Sequence, residues 1–516
     1  MRSNRNAILY TTMLAMALGA NVKAQTVFCV WSAFITGPVR AEGLTEPLTD
    51  MVMNCTGGTP TAANQPVPQV NIYLILNTNL TSQVTAASLY DEALLLIDNP
   101  NTINNGAQNP LLNCGQTGAQ DNVFTGPGIC SIVSTGNAAQ TYNGATNVRG
   151  TGACLETNLG PIGCGRPNAF QGRLEVGSTN IIVFQGVPFD PPGPGNTRSL
   201  RFTNIRADAH VLGTGADIIA TFQISGQVPV SIATGPIGLA GTIAPGISSS
   251  SSPSAGKILV TEGFPHAWKD RNVAFTVGNS NAAQSGNATY ATPPWTWNDE
   301  ANYPTQIAQN VPGTVYYTED MFQWQPPAVN GPPSPNPPVA FGINPVLNIG
   351  YPLQSHAFAG VDTGIENDGV SSQGTRIALS FSGPNAGEVV CQNRVPIYSL
   401  TYSAYSGAMV MTTTDANGAG VYTPVLTATG TSNTNLAVYE VLWSDPFSME
   451  NVTIPCYSKS GTINVTVTPS FAPFYTGASA GHPTPTTADP TPTALPRFAP
   501  GTSSFMVTVS PVVNVP

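Results

Sequence analysis

Apolar and polar residues alternate along most of the chain in short runs with a period of two. Near the end, Ile463, Val465 and Val467 alternate with Asn and Thr residues, and residues 505–509 read FMVTV. This period places one side of an extended strand on a core and the other side in water. Similar runs are VNIYLIL at 70–76, NIIVFQ at 180–185, SLRFTNIR at 199–206 and ADIIATFQI at 216–224. The pattern therefore predicts a chain built mainly of strands.

Turn residues separate these runs, since the chain contains 51 Gly and 47 Pro. Many short strands divided by turns favour sandwiches over parallel α/β layers. We therefore predict an all-β fold of several antiparallel β-sandwich (Ig-like) domains with Pro/Gly-rich loops and disulfides. One segment, AASLYDEALLLID at 86–98, fits a helix and a buried strand equally well, and both alternatives stay open.

Segments of low complexity suggest the domain boundaries. Ser-rich residues 244–256, Pro-rich residues 325–338 and Pro/Thr-rich residues 482–500 are typical of linkers or long loops. The strand-like tail at 504–514 is expected to return to a sheet, because an isolated strand is unstable. The predicted division is 1–24 signal peptide, 25–243 disulfide-rich β domain, 244–256 linker, 257–340 aromatic-rich β region and 341–516 β-sandwich.

The N-terminus has the pattern of a cleavable signal peptide. Arg2 and Arg5 precede the apolar stretch AILYTTMLAMALG at 7–19. Val22 and Ala24 then occupy the −3 and −1 positions of a predicted cleavage site before Gln25. No later run reaches the length of about 18 apolar residues that a membrane span needs. We therefore predict export, with a secreted or cell-surface location and no membrane span in the mature chain.

Cysteine usage agrees with export. An even number of cysteines in an exported chain indicates disulfides rather than free thiols. Pairing of Cys391 with Cys456 is the simplest prediction for the last third, whereas the connectivity of the first six stays open. The cysteines are Cys29, Cys55, Cys114, Cys130, Cys154, Cys164, Cys391 and Cys456.

The low content of charged residues and the negative net charge limit the kinds of molecule that the chain is expected to bind. Only 9% of residues are charged and the formal net charge is −10. Without a basic patch, nucleic acids and anionic membranes are poor partners. The four His residues form no H-E-x-x-H motif, and no phosphate-binding P-loop is present. The sequence leans away from an enzyme, and no cofactor is expected.

One aromatic and acidic concentration is the best candidate binding site. Exposed rings stack on sugar faces and carboxylates accept hydrogen bonds from sugar hydroxyls, while two suitably spaced carboxylates hydrolyse glycosidic bonds. Ordinary core packing of the rings is the competing reading. The candidate aromatic residues are Trp268, Trp295, Trp297, Trp324, Tyr316 and Tyr317, with Asp299, Glu300, Glu319 and Asp320 as the nearby acids.

A second candidate is a calcium site in the loop DTGIENDG at 362–369. Asp362, Glu366 and Asp368 offer oxygen ligands beside glycines. Their spacing departs from the EF-hand pattern, so an ordinary acidic loop is the alternative.

Several segments together resemble an uncharacterised family of exported, β-rich bacterial proteins with no established activity. The resemblance implies secretion and a shared architecture, and it assigns no site residue. It is carried by EALLLIDNP at 92–100, VFQGVPFDPPGPGNTRSLRFTNIRAD at 183–208, ILVTEGFPHAWKDR at 258–271, QNVPGTVYYTED at 309–320 and LPRFAP at 495–500.

Two functions follow as hypotheses. The first is a non-catalytic structural or adhesive protein of the cell exterior that binds protein partners or assembles with itself through strand edges. The second is a polysaccharide-binding protein that uses the aromatic residues around 268–324, with glycoside hydrolysis as an extension.

Overall fold

The computed structural model describes residues 26–33, 38–82, 90–100, 132–144, 166–232, 237–269, 319, 374–420, 422–445, 447–475 and 497–511. Within these ranges the chain forms strands, turns and short 3₁₀ turns, with no α-helix. The prediction of an all-β fold is therefore confirmed.

The N-terminal strands coincide with the runs of alternating residues. In chain order they are β1 Val27–Ala33, β2 Pro38–Arg40, β3 Glu46–Pro47, β4 Met51–Gly57, β5 Gln69–Leu76, β6 Tyr90–Ile97, β7 Ala169–Leu174, β8 Ile181–Pro188, β9 Gly193–Thr203, β10 Arg206–Ala207, β11 Asp217–Gly226, β12 Val230–Ile232 and β13 Ile237–Ala244.

Most of these strands form the first sheet. Over the described residues its order is β12-β1-β4-β9-β6-β7-β8-β5-β11-β13-β2, and β3 pairs separately with β10. Strands near the two ends of this sheet meet across the core, since the Trp31 ring on β1 lies 4.8 Å from the Phe222 ring on β11. It also covers Gly238 on β13, where a Cβ atom would lie 2.6 Å from the indole ring. The first sheet therefore folds around a single core.

The second sheet begins directly after the first. Its strands are β14 Ile247–Ser254, β15 Lys257–Glu262, β16 Arg376–Ser382, β17 Val389–Gln392, β18 Arg394–Ser399, β19 Tyr405–Met411, β20 Thr429–Gly430, β21 Leu436–Trp443, β22 Glu450–Ser458, β23 Ile463–Ala472 and β24 Phe505–Val509.

Among the described residues, the second sheet follows the order β14-β15-β22-β18-β19-β21-β16-β23-β24, with β17 paired to β22 and β20. Strict alternation is clearest on β22, where Val452, Ile454 and Cys456 are buried while Asn451 and Thr453 lie on the other side. This alternation gives the second sheet a core of its own and a face that is turned to solvent.

The segment that fitted a helix and a strand equally well forms strand β6. Residues 93–97 are fully buried, and β6 lies between β7 and β9 in the middle of the first sheet. A strand that is covered on both faces carries a continuous apolar run instead of alternation. This explains why periodicity alone left the choice open.

The Ser-rich segment differs from its prediction as a flexible linker. Residues Ile247–Ser254 form an edge strand that pairs with β15. Two register irregularities interrupt this pairing, and bulges with polar side chains are typical of protected sheet edges. Composition was misleading because an edge strand needs few apolar side chains. A separate region at 257–340 stays a prediction. The first strand of that region, β15, pairs with β22 of the C-terminal part.

The tail returns to the sheet as predicted. Strand β24 pairs with β23 from Ile463 opposite Val509 to Val467 opposite Phe505. On its other side, the Thr508 carbonyl accepts a hydrogen bond from Gly256 N–H at 2.8 Å. Part of the outer edge of β24 is therefore already occupied within its own chain.

Each sheet carries one disulfide between directly opposite residues. Cys29 on β1 pairs with Cys55 on β4, and Cys391 on β17 pairs with Cys456 on β22, as predicted. The part of the chain that the structure describes holds no free cysteine. Cys114, Cys130, Cys154 and Cys164 lie outside the described residues.

Replacing Cys391 and Cys456 together by Ser should lower the free energy of unfolding by about 4 kcal/mol, because the bond closes a long loop. The corresponding loss for Cys29 and Cys55 should be slightly smaller, since 26 rather than 65 residues separate that pair. Guanidinium unfolding of both double variants measures these losses. Unchanged midpoints would show that the disulfides do not stabilise the fold.

Candidate functional site

Trp268 is the one predicted aromatic residue that the structure describes, and it is not exposed. Its side chain is 1% exposed and packs in the second core with Phe264 and Ala267. A buried ring cannot stack on a sugar from solvent. Trp268 therefore has the core role that was the competing reading of its sequence pattern.

The other predicted site residues lie outside the described residues. They are Trp295, Trp297, Trp324, Tyr316, Tyr317, Asp299, Glu300 and Asp320, together with the calcium candidates Asp362, Glu366 and Asp368. GASAG at 477–481 was not among the predicted sites, although it has the spacing of a serine-hydrolase motif, and it also lies outside the described residues.

Glu319 is described, and it lies at the junction of the two sheets. Its carboxylate accepts two hydrogen bonds from the Arg40 guanidinium, at 2.6 Å to Oε1 and 2.8 Å to Oε2. Thr375 Oγ1 also donates to Glu319 Oε1. Both partners of the ion pair are almost completely buried. Glu319 is thus an internal anchor rather than an exposed sugar-binding acid.

Arg40 is the centre of this junction. It ends β2 on the first sheet and forms a second ion pair with Glu46 at 2.9 Å. Its guanidinium also donates to the Ala267 carbonyl at 3.1 Å. The rings of Phe498 and Phe471, which belong to the second core, lie 4.7 and 5.4 Å from Arg40 Cζ. One side chain therefore contacts both halves of the molecule.

The local chain geometry permits this close packing. Gly246 lies at the crossing from β13 to β14, and a Cβ atom there would lie 2.6 Å from Phe471 and 2.7 Å from Arg40 Cγ. Any larger residue would displace the guanidinium or the ring. The crossing point therefore depends on a glycine because of contact rather than turn geometry.

Burial and neighbouring charges have opposite effects on the pKa values at the junction of the two sheets. We define the junction cluster as Arg40, Glu46, Lys269, Glu319 and Thr375. Burial alone would lower the pKa of Arg40, but the carboxylates of Glu319 and Glu46 raise it. Burial, followed by the nearby Arg40 charge, lowers the pKa of Lys269 to about 8. The pKa of Glu319 is lowered, because the attraction of its carboxylate to the Arg40 guanidinium outweighs the effect of burial. The cluster is held together by Arg40.

A second buried acidic pair lies in the second sheet. Glu262 accepts hydrogen bonds from the backbone N–H groups of Trp268 at 2.8 Å and Glu450 at 3.0 Å. The Glu450 carboxylate accepts from Asp445 N–H at 2.8 Å. Burial raises the pKa of Glu262 and the Glu450 charge raises it further, against the backbone hydrogen bonds. This pair fixes the loop that joins β21 to β22.

The solvent-facing side of the second sheet has a different character. We call the outward residues of β14, β15, β22, β18 and β19 the outer face. Strand register aligns Tyr405, Tyr398, Asn451, Thr261 and Ser249 in one row across these strands. A parallel row contains Thr453, Leu259 and Ser251. Both rows are neutral.

Large apolar side chains are also exposed next to Tyr398, in the turn after β18 and in the loop before β22. Tyr398, Leu400, Tyr402 and Phe447 are 42%, 44%, 70% and 57% exposed. The turn and the loop that carry them are adjacent, because Leu400 N–H donates to the Met449 carbonyl at 2.8 Å. We call these four residues the aromatic end.

These two regions differ in what they can do. The junction cluster is closed to solvent, so it holds the sheets together and cannot meet a ligand. The outer face is open and presents rings, amides and hydroxyls. Within the described ranges, no group of three His, Cys, Asp or Glu side chains is placed to hold a metal ion, and no helix is long and apolar enough to cross a membrane.

Sequence reasoning missed both regions. Arg40 and Glu46 are isolated charges in the chain, and nothing local connects them to residues more than 200 positions away. The outer face had a readable signal, since Arg394, Pro396, Tyr398, Leu400 and Tyr402 occupy every second position. That alternation marks one side of a strand that continues into a turn.

No protein-family model matches the chain, and no curated protein matches it. Among solved structures, the wild-type C-terminal domain of the Streptococcus agalactiae AgI/II polypeptide BspA is 6% identical with a TM-score of 0.24, covering 86% of this chain and 96% of that chain. A BspA C mutant is 7% identical with a TM-score of 0.23, covering 86% and 94%. Similarity at this level carries no argument about function.

Arg40→Met should destabilise the protein by about 3–5 kcal/mol at pH 8, because two buried carboxylates lose their counter-charge. The loss should shrink near pH 4, where protonation relieves the carboxylates. Urea unfolding at both pH values measures this, with the exposed Arg394→Met as the matched control. Equal small losses for both variants would contradict the central role of Arg40.

Relative to the wild type, Glu262→Gln should gain stability as pH rises from 4 to 9, because the amide cannot ionise and so removes a buried like-charge contact. The pKa of folded Glu262 is raised, so its stabilising contribution is complete below the unfolded pKa. It is lost as pH rises through the folded pKa.

The advantage of Glu262→Gln should therefore disappear in acid. Melting temperatures from pH 4 to pH 9 test this, with the partly exposed Glu388→Gln as control. A stability difference between variant and wild type that stays the same from pH 4 to pH 9 would overturn the interpretation.

Proposed function

We propose that the chain is an exported, non-catalytic protein that acts outside the cytoplasm as a structural or adhesive component of the cell surface. The observation that carries the proposal is the pair of cross-strand disulfides, one in each sheet. Such bonds persist in oxidising compartments and are rare where thiols are kept reduced. The N-terminal signal pattern supports the same location.

Adhesion is supported by the outer face and its aromatic end. Aromatic residues with polar tips are enriched where proteins bind partners. Tyr398 and Tyr402 present such rings on one end of a rigid sheet. The junction cluster supports this role, because a network that joins both sheets keeps the outer face in a fixed position under load.

Two finer versions have weaker support. Strand addition at β24 would have to displace hydrogen bonds that the Thr508 and Ser510 carbonyls accept from Gly256 and Ser458. A sugar platform around 268–324 would have to work without Trp268, which is buried. We therefore favour adhesion through the outer face over self-assembly through this edge.

The location can be tested on intact producing cells. External protease should remove the protein, and thiol alkylation without reductant should leave Cys29, Cys55, Cys391 and Cys456 unlabelled. Cells lacking the gene should attach less to solid surfaces than the parent. A reduced protein that external protease cannot reach would refute the proposal.

A further inference from the structure

The outer face is a continuous surface that crosses several strands of the second sheet. Its first row crosses five neighbouring strands from Tyr405 to Ser249. Strands lie about 4.8 Å apart, so the row spans about 19 Å. A surface of this length fits several consecutive units of an extended polymer rather than one small molecule.

The first row begins with two rings and continues with hydrogen-bonding groups. The rings of Tyr398 and Tyr405 are perpendicular, with centroids 6.1 Å apart. A bulge in the β18–β19 pairing brings them opposite each other. Asn451 and Thr261 continue the row with an amide and a hydroxyl. A ligand for this row therefore has apolar faces and many hydroxyl groups.

The charge of the outer face differs from that of the whole chain. The formal net charge is −10, with 27 acidic residues, yet no outward residue of β14, β15, β18, β19 or β22 is acidic. Glu262 and Glu450 on these strands point inward and are buried. The charged outward residues of these strands are Arg394 and Lys257, each four residues along its strand from the first row. The first row itself is uncharged, which favours a neutral ligand, and the two cations disfavour a cationic one.

A second copy of the chain is a poor occupant. The four side chains of the aromatic end expose about 400–450 Å² together, given that large aromatic side chains carry about 150–250 Å² each. A stable protein interface buries about 800 Å² on each partner. These four side chains alone therefore supply about half of the total area that a stable dimer buries on each partner.

We infer that the outer face binds a neutral polysaccharide. The rings of Tyr398, Tyr402 and Phe447 stack on the apolar faces of sugar rings, while Asn451 and Thr261 hydrogen-bond to sugar hydroxyls. The inference rests on the proposed adhesive function and names its ligand class. It places the sugar surface on the second sheet, away from the buried Trp268.

Binding of the purified full-length mature protein to insoluble cellulose, chitin and mannan tests the inference, with alginate as an acidic polymer and gelatin as a protein surface. Tyr398→Ala/Tyr402→Ala/Phe447→Ala should weaken binding to a neutral polymer at least tenfold. Tyr398→Phe/Tyr402→Phe should stay within about threefold, because the rings remain. The matched control is Val176→Ala/Val211→Ala/Ile237→Ala, which truncates equally exposed side chains of the first sheet and its loops.

The outcomes separate the ligand class from the adhesive role. Loss of neutral-polymer binding in the alanine variant alone, with an unchanged melting temperature, supports the inference. Binding to alginate or gelatin only, or equal binding by both alanine variants, overturns the sugar class and leaves adhesion standing. Failure of the wild type to bind any of the five materials, combined with normal attachment of cells lacking the gene, overturns both.

Discussion

The Arg40 guanidinium is the interaction on which the rest of the structure depends. It is buried between the carboxylates of Glu46 and Glu319 and beside Phe471 and Phe498 of the second sheet. A buried cation is costly unless its partners are ideally placed. The arrangement therefore specifies one relative position of the two sheets, and any other packing would leave a charge without its counter-charge.

That constraint separates the interior from the surface of the second sheet. The carboxylates of the junction and of the Glu262–Glu450 pair are all turned inward. The outer face is left without an acidic group, although the chain as a whole is acidic. Two buried cores, two cross-strand disulfides and an exposed aromatic surface are consistent with the adhesive role that we propose.

Local pattern predicted much of the fold, and long-range contacts explain what it did not. Alternation identified strands such as β23 and β24, and the tail pairing followed from the instability of a lone strand. Periodicity could not distinguish a helix from a strand at β6, because this strand is buried on both faces. The Ser-rich composition of β14 wrongly predicted a linker where the structure has an edge strand. Burial of Trp268 depends on packing across the sheet, which neighbouring residues in the sequence do not reveal. The charge network of Arg40 joins residues 279 positions apart and had no local signal.

Hydroxyl-radical footprinting of the full-length mature protein, with and without the neutral polysaccharide it binds, tests the central claim most directly. Labelling of Tyr398, Tyr402 and Phe447 is expected to fall when the polymer is present, while labelling of Val176, in the turn between β7 and β8, is expected to stay the same. Unchanged labelling of these three rings, with protection elsewhere on the chain, would contradict the assignment of the outer face as the binding surface.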